Sequence, residues 1–362
     1  MRYLLLPVLF LSLQSVATAK DACTGYKASV ASGNSPQKLK RFIDFNWKYL
    51  MNEYPEWATY VGLTDGNDRW TDGSPQAHAR REKESVCSLK ALKNINRAQL
   101  KNADLVNYDL LVARVELSIE EAAFDSEYLV LNHLGGVHSD LPDTIASMPA
   151  RTKKDVENML SRLEKIPDVV KQTEYWMREG MKRKVTPVKM FMEKVPAQFD
   201  KVLTEKSEDS PIYKPFADLG GSLSDSEKAA FQARAKDLIT KYVNPSLASL
   251  RNFVVKEYIP ASRESTSWKD MPNGPAWYAH LVKSMTTTSM TPEQLHQLGL
   301  KEVDRINAEM AKIRETVKFK GDSKAFNKFL LTDKRFYFTE KEALIASYRD
   351  IAKRLDPELP KL

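Results

Sequence analysis

Four times the chain carries the same short signal. A hydroxyl residue stands three places before an acid or amide, and an apolar helical rhythm follows: Thr152-x-x-Asp155, Ser224-x-x-Glu227, Thr291-x-x-Gln294 and Thr339-x-x-Glu342. The first backbone N–H groups of a helix have no partner within it, and this spacing lets two side chains satisfy them reciprocally. The third instance is the strongest, because Pro292 adds a preset φ at the first helical position. Leu295, Gly299, Val303, Ile306, Met310 and Ile313 then recur at three- and four-residue steps and predict one buried face. After Thr152 the rhythm runs through Val156, Met159, Leu163, Ile166 and Val170; after Ser224 it runs through Phe231, Leu238, Tyr242, Leu250 and Phe253. Asn244-Pro245 should kink that second helix, since Pro removes a ladder hydrogen bond. The Thr339 signal predicts a last helix ending near Leu355. A chain punctuated this way is mainly α, a large irregular helical domain.

The remaining segments agree. Ser35-Pro36 opens a helix carrying Leu39, Phe42, Ile43, Leu50 and Tyr54, which should stop before Pro55. Another starts at Asp104, with Leu105, Tyr108, Val112, Val115, Ile119 and Ala122 on its inner face. Thr64 to Ser74, Asn132 to Pro149 and Ser207 to Ser226 break the rhythm with Gly and Pro and read as loops; the last is the best candidate for a domain boundary. Met271-Pro272-Asn273-Gly274-Pro275 reads as a turn. Trp277 to Thr288, rich in aromatic and β-branched residues, reads as one short extended segment.

Residues 1–19 have the layout of a cleavable leader: Arg2, an apolar core from Tyr3 to Leu13, and the small residues Ala17-Thr18-Ala19. The expected mature chain is 20–362, in the periplasm or secreted. The apolar run is too short to span a bilayer, and no later stretch is apolar enough to do so. Export would place Cys23 and Cys87 in an oxidising compartment, where a disulfide between the N-terminal arm and the first helices is expected and two unpaired thiols are the alternative. The formal charge of +7 becomes +6 when Arg2 leaves with the leader. Basic residues cluster only briefly, as at Arg80-Arg81 and Lys182-Arg183-Lys184, with acidic residues interspersed, so the excess reads as a solvated surface and not a nucleic-acid footprint.

Chemical motifs are scarce. His78, His133, His138, His280 and His296 include no pair at the i, i+4 spacing that sets two imidazoles around a zinc ion on one helical face. His133 and His138, five apart, read as loop or core residues for want of a third ligand nearby. Glu293-x-x-His296 matches a di-iron element, yet that chemistry needs a second copy and two further glutamates. Glu116, Glu120 and Glu121 read as a solvated acidic face before they read as a paired-carboxylate site. Ser35-x-x-Lys38 lacks its companion motifs, and no G-x-S-x-G is present. The reading assigns no catalytic residue and no metal ligand in this chain.

The run PNGPAWYAHLVKSMTTTSMTPEQLHQLGLKEVDRINAEM resembles the bacterial DUF885 family, whose members are similar to zinc carboxypeptidases. Glu53 to Gly62, Arg69-Trp70-Thr71-Asp72 and Glu257 to Arg263 extend the resemblance. It implies a fold like the N-terminal lobe of a zincin-type carboxypeptidase, with zinc held in complete members by His-Glu-x-x-His. Residues up to Leu362 do not contain that motif, so the resemblance implies an N-terminal portion that is inactive alone. Its partners would be a peptide substrate or the missing C-terminal lobe, and its oligomeric state stays open. A non-catalytic peptide- or envelope-binding module, or a purely structural helical one, is the alternative. Within the implied substrate channel the extended segment would hold a peptide by strand addition. Arg263 would meet a substrate carboxylate and Tyr278 an oxyanion; the competing reading has Arg263 pairing with a helix end and Tyr278 filling core.

Overall fold

The computed structural model describes residues 21–361; the leader expected at 1–19 lies outside them. Among the described residues there is no strand, only two isolated bridges, Asn132 with Gly135 and Val188 with Arg263. The fold is mainly α, in two compact units that meet in sequence between Ser284 and Met285. The Ser207–Ser226 segment, expected as the boundary, lies within the first unit and buries Ile212, Phe216 and Leu219 in its core.

The first unit opens with α1 (Ala22–Ser29), α2 (Ser35–Glu53), α3 (Pro55–Tyr60), α4 (Pro75–Lys93) and α5 (Asn102–Glu121). Helix α2 stops before Pro55 as the sequence requires, with Tyr54 as its C-cap. Its N-cap is Asn34, one place earlier than Ser35, and the reciprocal partner is Gln37. Helices α1, α2, α4 and α5 close around Tyr26, Leu39, Phe42, Leu92 and Tyr108. A disulfide between Cys23 and Cys87 joins α1 to α4.

The larger core is built on α7 (Lys153–Arg183), 31 residues and therefore about 46 Å long. The Thr152–Asp155 box is formed at its start. Val156, Met159, Leu163, Ile166 and Val170 turn inward and meet α6 (Val137–Ser147), α11 (Asp225–Leu238) and α12 (Asn244–Phe253). Three short helices complete this layer: α8 (Lys189–Met192), α9 (Val195–Asp200) and α10 (Lys214–Ala217). Helix α6 corrects the sequence reading, which took 132–149 as a loop. Gly136, at φ 138°, makes the turn that precedes it. Val137, Leu141 and Ile145 then reach the core at helical spacing, and their burial outweighs the bond lost at Pro142.

The Ser224–Glu227 box caps α11. Between α11 and α12 the backbone widens into a π-helical turn, Ile239–Val243, two residues before Pro245. A second such turn, Val254–Tyr258, precedes Pro260 and the short α13 (Ile259–Ala261). A wider turn relieves the clash between a proline ring and the carbonyl four residues back.

The expected extended segment at Trp277–Thr288 is a helix, α14 (Gly274–Thr286), whose last two residues open the second unit. Asn273, at φ 54°, and a Gly274 N–H to Met271 C=O bond of 2.9 Å form the turn before it. Gly274 is required there, because a Cβ would stand 2.1 Å from the Trp268 carbonyl oxygen. Trp277, His280 and Leu281 fall on one face at steps of three and four. That packing overrides the strand preference of the aromatic and Thr residues.

The second unit holds α15 (Pro292–Thr316), α16 (Ser323–Thr332) and α17 (Lys341–Leu355). The Thr291–Gln294 box is formed. The Thr339 box is not: α17 begins one residue later, with Glu340 at the N-cap and no side-chain cap. Phe326 packs among Phe319 and Phe329 around α16. Neither α15 nor α17 has a buried residue.

Candidate functional site

Arg263 lies just after α13 and is half-buried. Its Nε donates to the Thr186 carbonyl at 3.1 Å, and its Nη1 donates to those of Ser265 (2.6 Å) and Ser267 (3.0 Å). The guanidinium also lies 5.8 Å from the Trp268 ring centroid, and burial lowers its pKa. These contacts hold together the turns that lead into α14. Tyr278, on α14, is 46 % exposed and its hydroxyl has no hydrogen-bond partner among the described residues. On the other side of that helix Trp277 stacks between Trp268 and Phe124, with centroids 4.9 and 6.0 Å away. His280 is buried against Phe124, its Nδ1 3.7 Å from Glu120 Oε2. Lys283 Nζ reaches the same carboxylate at 2.7 Å and, by that hydrogen bond first, lowers its pKa. Glu116 pairs with Lys93 at 3.1 Å. These glutamates are therefore matched to lysines, as a solvated face requires.

His138, His133 and His78 are held by packing, whereas His296 of α15 is exposed. His138 is buried and stacks on Phe199, with Nε2 3.0 Å from Gln198 Oε1; burial lowers its pKa. His133 stacks on Phe191, and its carbonyl accepts from Gln198 Nε2 at 2.9 Å. A single amide thus links the two. His78 leans on Trp176 at 5.3 Å. Glu293 accepts from Gln297 Nε2 at 2.8 Å. Among the described residues no group of three or more His, Cys, Asp or Glu side chains is arranged to hold a metal ion. The described residues thus offer no set that fits a zinc site.

A cleft of about 1150 Å³ opens instead between α2 and α4, beside α1. Glu84 of α4, almost fully buried, accepts from Tyr49 Oη and Arg80 Nη1, each at 2.7 Å. Arg80 Nη2 bonds Glu53, and Arg81 Nε stands 3.5 Å from the same carboxylate. Burial, and next the bond to Glu84, pushes the Tyr49 pKa up; the bonds to the two carboxylates raise that of Arg80 against its own desolvation. The second wall is the 66–73 loop, which carries Arg69, Trp70 and Asp72 into the lining.

That loop is fixed from below by Arg162 of α7, which is fully buried. Its Nε donates to the Arg69 carbonyl at 3.0 Å, and its Nη2 donates to those of Pro55 (3.1 Å) and Gly66 (3.3 Å). The guanidinium lies 5.1 Å from the Trp70 ring, while Trp70 Nε1 donates to the Arg162 carbonyl at 2.9 Å. With no carboxylate bonded to it, burial draws its pKa down to about 10. Thr71 N donates to Glu56 at 2.9 Å, and Trp176 Nε1 to the Gly73 carbonyl at 2.7 Å. Glu53 and the Arg69-Trp70-Thr71-Asp72 run were visible in sequence as shared segments, and Arg80-Arg81 as a basic pair. Their convergence with Glu84 was not, because α4 brings them together only in three dimensions.

The fold has a counterpart of known structure. A crystal structure of a candidate lipoprotein from Colwellia psychrerythraea matches 91% of this chain with a TM-score of 0.74 at 17% identity. The chain spans 59% of that neighbour's length. No curated protein matches. A family model described as "bacterial protein of unknown function (DUF885)" matches residues 55–362, most of the sequence, including the Arg69-Trp70-Thr71-Asp72 run whose Arg69, Trp70 and Asp72 line the cleft. The chain belongs to the DUF885 family.

Proposed function

We propose that residues 20–362 form the helical, non-catalytic portion of an exported metallopeptidase-like protein, which takes its zinc chemistry from a region outside this sequence. The observation that carries this reading is the second unit. Val303, Ile306, Met310 and Ile313 of α15 are between 39 and 56 % exposed, although their spacing is that of a core-facing stripe. Leu344, Ile345 and Ile351 of α17 are likewise exposed. Apolar stripes of this extent are built to be covered. The length by which the solved neighbour exceeds this chain supplies a candidate cover. Within the reading, Tyr278 faces the substrate path and Arg263 keeps α14 in place beneath it.

Mixing the purified mature chain with the following region of a longer DUF885 relative tests the proposal. Co-elution is expected, and replacing Val303 and Ile306 with Asp should abolish it. A monodisperse chain that ignores that region would sink the reading. A binding module without catalysis is the second reading, favoured by the size of the α2–α4 cleft.

A further inference from the structure

We infer that the cleft between α2 and α4 binds a small amphiphilic anion, a carboxylate on an apolar or aromatic body. The inference is independent of the metallopeptidase reading. It follows from which charged groups of the cleft have hydrogen-bond partners. All four acids in the lining already have donors. Glu84 accepts from Tyr49 and Arg80, and Glu53 from Arg80. Asp72 accepts from Ser74 N at 2.9 Å and Gln172 Nε2 at 3.2 Å. Asp21 accepts from Cys23 N and Thr24 Oγ1, both at 3.2 Å.

The cations are different. Among the described residues, only Arg80 of the four in the lining has a carboxylate partner. Arg69 donates to neutral oxygens of Asn52 at 2.7 and 2.8 Å. Lys48 and Lys83 line the cleft without a hydrogen bond or ion pair among the described residues. Formal charge in the lining balances, four acids against four cations, and the charged groups left without a hydrogen-bond partner among the described residues are the exposed ammonium groups of Lys48 and Lys83. Beneath them Phe45, Trp70 and Ala79 offer an apolar wall, and the volume of about 1150 Å³ exceeds what one small organic acid needs. A ligand that answers both features has a carboxylate at one end and a hydrophobic body at the other. The bed is rigid, because Arg162 and Trp176 anchor the 66–73 loop from α7. A preorganised pocket keeps more of its interaction energy as affinity.

Two sources share this chemistry, the C-terminus of a peptide and a free organic acid, and the assay separates them. Trp70 fluorescence and calorimetry on the disulfide-intact chain would follow titration with 3-phenylpropanoate, N-acetyl-Ala-Phe, and 3-phenylpropylamine. Saturable binding of at least one carboxylate is expected, with no binding of the amine; the tighter carboxylate identifies the source. The double variant Lys48→Met/Lys83→Met replaces exposed side chains and should fold normally. It should bind the carboxylate about tenfold more weakly, the sum of two exposed charge contacts. The inference fails if the amine binds as well as the acids, if the double variant binds unchanged, or if neither carboxylate saturates.

Discussion

Replacing Cys23 and Cys87 with serine tests how the N-terminal arm is held. The cysteines are 64 residues apart, so their bond closes a loop of about 65 residues, and the entropy it removes from the unfolded chain is worth about 4 kcal/mol at 25 °C. The folded arm has other contacts, since Ala22 and Tyr26 of α1 and Val30 just after it are buried against α2 and α4. These remain in the variant, so α1 should still dock and the loss should fall on global stability. For a unit of this size the change corresponds to a fall in Tm of roughly 8 °C. Thermal melts of oxidised, reduced and doubly substituted protein, followed by circular dichroism, give the comparison. Hydrogen exchange in α1 separates local release of the arm from global loss. Identical Tm values for the oxidised chain and the double variant would refute the reasoning, as would a loss of protection confined to 22–29.

Other perturbations follow from single contacts. Arg162→Met removes the donor to three carbonyls, two of them buried, and should cost about 3 kcal/mol in urea unfolding, with Trp70 emission shifted to longer wavelength. Burial keeps the folded His138 pKa below its unfolded value of about 6.5. The unfolded chain therefore binds the proton more readily; the contribution is full above about pH 6.5 and is lost as pH falls toward the folded pKa. His138→Phe keeps the stack on Phe199 and should flatten that acid limb, read as the slope of unfolding free energy against pH. Gly274→Ala sets a Cβ against the Trp268 carbonyl and should destabilise the first unit by about 2 kcal/mol, where Tyr278→Phe should leave Tm unchanged.

How far the sequence carried depends on whether a feature is local. The boxes at Thr152, Ser224 and Thr291 are formed because each joins residues three apart, and three-residue geometry needs no tertiary context. Thr339 shows the limit: a shift of one residue at the helix start puts Glu340 at the cap and leaves the hydroxyl unused. Helix α14 departs from the extended expectation for a different reason. Its aromatic and Thr residues favour strand, and only the neighbours Trp268, Phe124 and Val185 decide for a helix. In α6 a proline masked a helix that core burial sustains. The cleft was invisible as a site, since Tyr49, Glu53, Arg69, Arg80 and Glu84 converge from α2, α4 and a loop. Arg162 gave no sign of its role either, because its partners are backbone carbonyls about a hundred residues away, which carry no side-chain signature.

Metal content and hydrolysis, measured on the same sample, test the central proposal most directly. Zinc catalysis requires about three protein ligands and an open position for water, and no such set is arranged among the described residues. Purified mature chain should hold no stoichiometric zinc and cleave no peptide, and it should gain zinc-dependent hydrolysis when combined with the family's following region. One tightly held zinc ion per isolated chain, or peptide cleavage by that chain alone, would contradict the account.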